Sequence, residues 1–435
     1  MRDGKFRCAL GIGLVLLVFL LLTSCLLDGL KISQGGDYGY IKGKISDEDG
    51  KAISGATVTV TGTNLSYSAT TDSSGNYSIK AKTGTYTKIA FDCSCWSAKK
   101  TLSNKVTLSK NKTVTIPDYK LSANHNFKLT GMKESTVIEH GYRKYKCSGC
   151  GLVKTEQLPL VTGAKWAGIR VSEYGMIKKE SNPYAFDEFP SVNDMVSFGE
   201  KMESCYEGST GAYILIVGTV HESDWSCSLG FKLSKSIEHV SGNKSDKYES
   251  FLTAMDNAGY SVWLQVESGD ADLVELATEV MNHYKSHSCV KGFGIDVEWH
   301  QPAGTKGHGT PLSNEIASAV LAAVQDINKD YTVFVKHWDT KYLPDAQKGL
   351  IFVNDSQGFE SLDDVKEDFS DWAKHYDPCP VMFQIGYKKD RPIWNEFDNP
   401  AKEFGEAILE ACTTDNDIGI IWVDFTLADV IDKID

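Results

Sequence analysis

From residue 164 to residue 435, strand-length apolar runs alternate with helix-length amphipathic stretches, and this alternation constrains the fold most. The runs fall at 166–174, 212–220, 260–268, 290–299, 331–339, 349–355, 380–387 and 418–425. Each is nearly continuous in branched and aromatic residues, as a strand must be when helices cover its sheet on both faces. Helical periodicity separates most of them, at Val192–Tyr206, Lys247–Ala258, Leu273–Tyr284, Ser313–Lys329, Leu362–His375 and Ala401–Cys412. Eight such units in roughly 250 residues predict an α/β (β/α)8 TIM barrel. A doubly wound open sheet would want a glycine-rich phosphate loop after its first strand, and "SEYGMIKKESNP" offers none.

Barrel chemistry sits at the C-terminal ends of the strands. Those ends carry Glu173 and Tyr174; His221 and Glu222; Gln265 and Glu267; Asp296, Glu298 and His300; Lys336, His337 and Asp339; Asn354 and Asp355; Gln384 and Tyr387; Trp422 and Asp424. Half-buried charge is costly unless it is paired or used, so the ring marks a site. Its sharpest element is "KGFGIDVEWHQP", 291–302. On an extended strand Asp296 and Glu298 point the same way and Val297 packs on the other face. Two acids so close oppose joint ionisation, and one is pushed toward neutrality. A carboxylic acid beside a carboxylate is the division of labour that glycosidic cleavage needs. A metal reading of Asp296, Glu298, His300 and His337 is weaker, because metal sites of that kind usually show histidines at tighter spacing.

"GFGIDVE" resembles the fourth-strand signature of the family 18 chitinase-like hydrolases: Gly292, Ile295, Asp296 and Glu298 match, while Gly294 stands where that family has an earlier Asp. "MFQIGY" (382–387) and "GIIWVDF" (419–425) are also similar to that family. The family 25 lysozymes fit comparably through "AGIRVSEYG" and "IDVEW", with Arg170 in place of their first-strand Asp. The resemblance implies an Asp-x-Glu glycoside hydrolase-like barrel acting on a β-linked N-acetylhexosamine glycan such as peptidoglycan, chitin-like glycan or N-glycan, without a catalytic cofactor. It assigns Glu298 as general acid and Asp296 as its partner or the orienter of the substrate's own acetamido group. Gln384 and Tyr387 would hold the acetamido oxygen, and Trp422 would floor the sugar subsite. Glu267, His300, His337, Asp339 and Asp424 would complete the substrate contacts. The competing class is a non-catalytic glycan-binding or adhesin protein on a decayed barrel.

The first 163 residues read differently. "MRDGKFR", an apolar run and "LTSC" form a leader over 1–25 that resembles a bacterial lipoprotein signal, with Cys25 as the lipidated residue. This implies an exported protein held at the membrane surface by a lipid anchor, with 26–39 as a tether. From 40 to 121, short alternating runs separated by "DEDG" and "DSSGN" predict an antiparallel sandwich. The pattern Gly43-x-Ile45-x-Asp47-x-x-Gly50-x-x-Ile53-x-Gly55-Ala56-x-Val58, followed by Thr71-Asp72-x-x-Gly75-x-Tyr77, resembles the carboxypeptidase regulatory-like domain. That resemblance implies a spacer or binding module without catalysis.

Residues 122–163 form a small module around Cys147-x-x-Cys150-Gly151. A knuckle of this kind suits tetrahedral zinc, with His125 and His140 as further candidates, but one cysteine pair does not complete a site. A structural zinc, a Cys147–Cys150 disulfide and free thiols all remain open. The net charge of −13 and the lack of a clustered basic run argue against nucleic-acid binding.

Overall fold

The computed structural model describes residues 37–434 apart from Ser94 and Lys306. The leader, the lipobox with Cys25 and most of the tether lie outside the described residues. The chain divides into two compact units: the residues up to Lys128 together with Tyr145–Lys154, and Leu129–Lys144 together with Thr155–Asp435. Among the described residues no helix is long and apolar enough to cross a membrane.

The first unit is a small all-β sandwich. One sheet orders Asn76–Lys82, Tyr38–Asp47 and Thr113–Thr115, with Tyr119–Leu121 also paired to Tyr38–Asp47. The other orders Leu65–Thr70, Thr57–Gly62, Gly84–Cys93 and Trp96–Leu108. Alternate residues Ile41, Val58, Val60, Ile79, Ile89 and Phe91 close the core between them, as period-two patterning requires. The "DSSGN" turn is built as its residues suggest: the Asp72 carboxylate accepts from the backbone N–H groups of Ser74 and Asn76, and Gly75 takes a φ of +79° that side chains disfavour.

The second unit is a closed eight-stranded parallel barrel. Its strands are β1 (Trp166–Val171), β2 (Thr210–His221), β3 (Ser261–Val266), β4 (Val290–Asp296), β5 (Thr332–Lys336), β6 (Leu350–Asn354), β7 (Val381–Ile385) and β8 (Ile418–Val423). Each pairs in parallel with the next, and β8 returns to β1. Helices follow most strands, as the periodicity predicts; only a short 3-10 turn, Thr340–Tyr342, lies between β5 and β6. Ser191, Asp272, Ser313 and Ser361 cap four of the helices through their side chains, each satisfying N–H groups that a helix start leaves open.

Strand parity sorts side chains into two layers. Trp166, Ile214, Trp263, Phe334, Ile351, Val353, Met382 and Ile421 fill the barrel interior. Their neighbours, such as Val333, Val335, Phe352 and Trp422, join the larger core beneath the helices. Gly294 explains its own departure from the family 18 pattern in these terms. A Cβ there would lie 2.1 Å from the Phe334 ring, so the interior space an acid would need is taken by an aromatic side chain.

Candidate active site

The site grows from strand register. Asp296, the last residue of β4, pairs with Lys336, the last residue of β5. Lys336 shares its face with Phe334, so its stem rises through the interior toward the mouth. Asp355 follows β6 beside it. The Lys336 ammonium lies 3.1 Å from Asp296 Oδ1 and 3.8 Å from Glu298 Oε1, and it also contacts Asp355. Gln265, the interior residue two places after Trp263, donates from Nε2 to Asp296 Oδ2 at 3.0 Å.

β4 ends at Asp296, and Val297–Trp299 turn into a 3-10 helix. This corrects the expectation of an extended strand through Glu298. The two acids still meet, but at one ammonium rather than along one strand face. Asp296 is buried, while the Glu298 side chain keeps 26 % exposure.

Three acids thus surround one cation, with Glu267 close enough to be felt. Burial pushes the ammonium of Lys336 toward losing its proton, but Asp296, Asp355 and Glu298 outweigh burial and hold its pKa well above the ordinary value. Burial pushes Asp296 up, and the charges of Glu298, Asp355 and Glu267 add to the rise against Lys336. Glu298 is pushed up by burial as well, opposed by Lys336 and reinforced by Asp355 and Glu267. Burial raises the pKa of both carboxyls of this pair, and their contacts differ. Asp296 accepts from Gln265 and touches the ammonium more closely, which favours its anion, whereas Glu298 is the farthest of the three acids from Lys336.

A cavity of about 330 Å³ opens over this cluster, lined by Arg170, Tyr174, Val220, Glu222, Glu267, Asp296, Glu298, Trp299, Lys336, Asp355, Gln357, Tyr387 and Phe425. Four residues expected at the site are brought together here: Asp296, Glu298, Glu267 and Tyr387. Both oxygens of Glu267 are held, one by the Tyr174 hydroxyl at 2.8 Å and one by the Val220 N–H at 3.0 Å. Burial raises its pKa, and those two donors oppose the rise.

The other expected contacts lie elsewhere. Trp422 falls between the interior residues Ile421 and Val423 in strand parity and faces outward. It is fully buried, edge-on to Trp394 at 5.3 Å, with Nε1 donating to Thr426, and it offers no face to a sugar. Asp424 is also fully buried; its carboxylate pairs with Arg170 and accepts from the Ser172 N–H. Arg170, the residue that departs from the first-strand acid of family 25, pairs with this Asp424. Gln384 is enclosed beneath the cavity, where its Oε1 accepts from the Tyr387 hydroxyl at 3.1 Å. His300 lines a separate cavity of about 560 Å³, and burial holds its pKa down. The His337 ring stacks on Trp338 and Tyr342, its Nδ1 accepts from the Asp339 N–H, and burial holds its pKa down at about 4. Asp339 caps the 3-10 turn and pairs with Lys341. The metal reading of this mouth does not hold: the two histidines are directed away and the Lys336 ammonium stands among the acids. Lys336 and Asp355 belong to the ring of polar strand ends, but their place at its centre depends on which strands are neighbours.

Fold and site define a chain of a defined class: an all-β sandwich followed by an α/β barrel whose mouth holds an acid-rich, lysine-centred cavity. Residues 40–122 match the carboxypeptidase regulatory-like domain family. A comparison with curated proteins finds no match. Among solved structures, a β-glucuronidase of Bacteroides uniformis is 10% identical, with a TM-score of 0.35 over 89% of this chain and 42% of that one. The β-glucuronidase of Parabacteroides merdae is also 10% identical, with a TM-score of 0.33 over 85% of this chain. The β-D-glucuronidase of Dictyoglomus thermophilum gives 0.34 at 10% identity. This chain spans about two fifths of the length of the P. merdae enzyme. Likeness at this level carries no argument about activity.

Proposed function

We propose that the barrel is a glycoside hydrolase acting on a β-linked N-acetylhexosamine glycan (peptidoglycan, chitin-like glycan or N-glycan), and that a lipid anchor on Cys25 holds it at the bacterial cell surface. One observation carries the reading. Glu298 is the partly open member of a buried acid cluster, its pKa raised by burial and by Asp355 and Glu267 against Lys336, and it faces a cavity. A carboxyl whose pKa is raised in this way can give its proton to a glycosidic oxygen as the C1–O bond breaks. Asp296 is a positioning residue: anchored by Gln265 and Lys336, it stands behind Glu298 at the same ammonium. Glu267 presents a second carboxyl to the cavity, held by the Tyr174 hydroxyl and the Val220 N–H, where its anion would suit the positive charge that develops on the sugar ring. Phe425 and Trp299 supply apolar wall in place of Trp422, and of the pair Gln384 and Tyr387 it is Tyr387 that lines the cavity.

The test is turnover of a panel of N-acetylglucosamine-containing oligosaccharides. Wild type is expected to cleave at least one, and Glu298→Gln to lose 10²-fold or more, the order general acid catalysis contributes, while keeping its thermal stability. A wild type that binds glycans in the cavity and cleaves none would establish the non-catalytic binding reading instead.

A further inference from the structure

Three cysteines and one histidine meet inside the first unit, far apart in sequence. The ligand atoms of Cys95, His125, Cys147 and Cys150 all lie within 4.8 Å of one another. Cys95 Sγ is 3.3 Å from Cys147 Sγ, and Cys150 Sγ is 3.5 Å from His125 Nδ1. All three cysteines are free thiols. Tetrahedral zinc with Zn–S of about 2.3 Å and Zn–N of about 2.0–2.1 Å places its ligand atoms roughly 3.5–4 Å apart, a spacing these four atoms, at 3.3 Å to within 4.8 Å, reach by small side-chain shifts.

The backbone prepares the cluster. The hairpin tip that carries the knuckle closes with the Gly151 N–H donating to the Cys147 carbonyl and the Cys147 N–H to the Leu152 carbonyl. Gly151 takes a φ of +74°, which a side chain would disfavour. The Ser148 N–H donates to the Asn126 carbonyl at 2.9 Å and the Asn124 N–H to the Cys95 carbonyl at 2.7 Å. Those two bonds tie the knuckle to the histidine segment, and the histidine segment to the sandwich strand turn. The His125 ring is braced by Trp96 at 5.2 Å and Phe127 at 5.3 Å. His140, the other histidine the sequence offered, is not part of the cluster; its Nδ1 bonds the Leu158 carbonyl at 2.8 Å.

We propose that Cys95, His125, Cys147 and Cys150 form a structural zinc(II) site. Four protein ligands leave no open position, so the site does no hydrolysis. It pins the Cys-x-x-Cys hairpin tip to the β-sandwich. Binding replaces the three thiol protons with one metal ion and releases them to solvent. Cys95 is the ligand that a reading of the knuckle alone does not supply.

The experiment uses the full chain, purified in detergent under reducing conditions. Metal analysis is expected to give one zinc per chain, released when the thiols are modified with an organomercurial. Cobalt(II) exchanged into wild type is expected to show thiolate-to-cobalt charge transfer and the d–d bands of a tetrahedral ion. Cys95→Ser and His125→Ala are expected to abolish stoichiometric zinc, and Cys412→Ser, in the barrel, to leave it unchanged. His125→Cys, which keeps a fourth ligand, is expected to retain the metal, so a misfolded alanine variant does not decide the matter. The proposal is overturned if wild type with reduced thiols takes up neither ion. It is also overturned if a peptide map shows Cys95–Cys147 or Cys147–Cys150 as a disulfide, or if both Cys95→Ser and His125→Ala keep a full complement of zinc.

Discussion

Lys336→Met isolates the electrostatic argument for the mouth. The ammonium stands 3.8 Å from Glu298 Oε1. At an effective dielectric of about 20, a pair at that distance attracts by roughly 4 kcal/mol. At about 1.4 kcal/mol per pH unit, losing it would raise the Glu298 pKa by at most about 3 units. Asp296, already pushed up by burial, also takes up a proton once the cation is gone, which cancels part of the rise. The expected net shift is about 1–2 units upward. Glu298 must be protonated to act, so activity falls as pH rises through its pKa. In Lys336→Met the alkaline limb of the kcat/KM profile on a cleaved oligosaccharide is therefore expected to move to higher pH by that amount. Stability gives a readout independent of turnover. Removing one partner of a buried ion cluster costs about 3–5 kcal/mol. Asp296 and Glu298 have folded pKa values above their unfolded ones, so the native state binds more protons and stability falls as pH rises between the two. Thermal unfolding of the variant should thus be least impaired at acid pH and worst at neutral pH. An alkaline limb that stays put or moves to lower pH, or a stability deficit that does not shrink on acidification, would refute the lysine-centred reading.

Other consequences follow from the packing. Trp422→Ala is expected to lower stability by about 3–5 kcal/mol, measured by denaturant unfolding, with KM for glycan unchanged in the folded protein; a raised KM at unchanged stability would restore Trp422 as a sugar platform. Gly386 has a φ of +89°, and a Cβ there would lie 2.3 Å from the Trp422 ring. Gly386→Ala is accordingly expected to cost about 2–4 kcal/mol in the same assay, more than an ordinary surface substitution.

The barrel was legible because its signals are local. Continuous apolar runs and 3.6-residue spacing are properties of neighbouring residues, and turn chemistry such as Asp72 with Gly75 marks the sandwich in the same way. Within the site, Asp296 and Glu298 were legible for the same reason. What escaped depends on pairings between distant segments. Lys336 acquires meaning only when β4 and β5 lie side by side, and Asp355 only when β6 joins them. Cys95 lies 52 residues from Cys147, and no spacing rule connects them. Trp422 is a different case. Ile421 faces the interior, so parity along β8 already turns Trp422 outward, and a reading that follows parity to the strand end excludes it as a platform.

The cluster also bears on whether the barrel is catalytic or decayed. Gly294 is filled by Phe334, and the Arg170–Asp424 pair reverses the polarity expected on the first strand. Each departure from the resembling families is thus compensated in space or charge. The buried lysine among acids is the harder fact. Replacing a buried ion cluster by apolar residues of similar size is often neutral or stabilising by about 1–4 kcal/mol, so folding alone gives no reason for Asp296, Lys336 and Asp355 to stand together. If their work is to tune the proton of Glu298, which Asp355 helps hold on and Lys336 draws off, then Asp296→Leu, Lys336→Met and Asp355→Leu combined should unfold no more easily than wild type while losing turnover. A triple variant that is folded and still cleaves at the wild-type rate would show that the cluster is structural and that the catalytic assignment of Glu298 rests on the wrong neighbours.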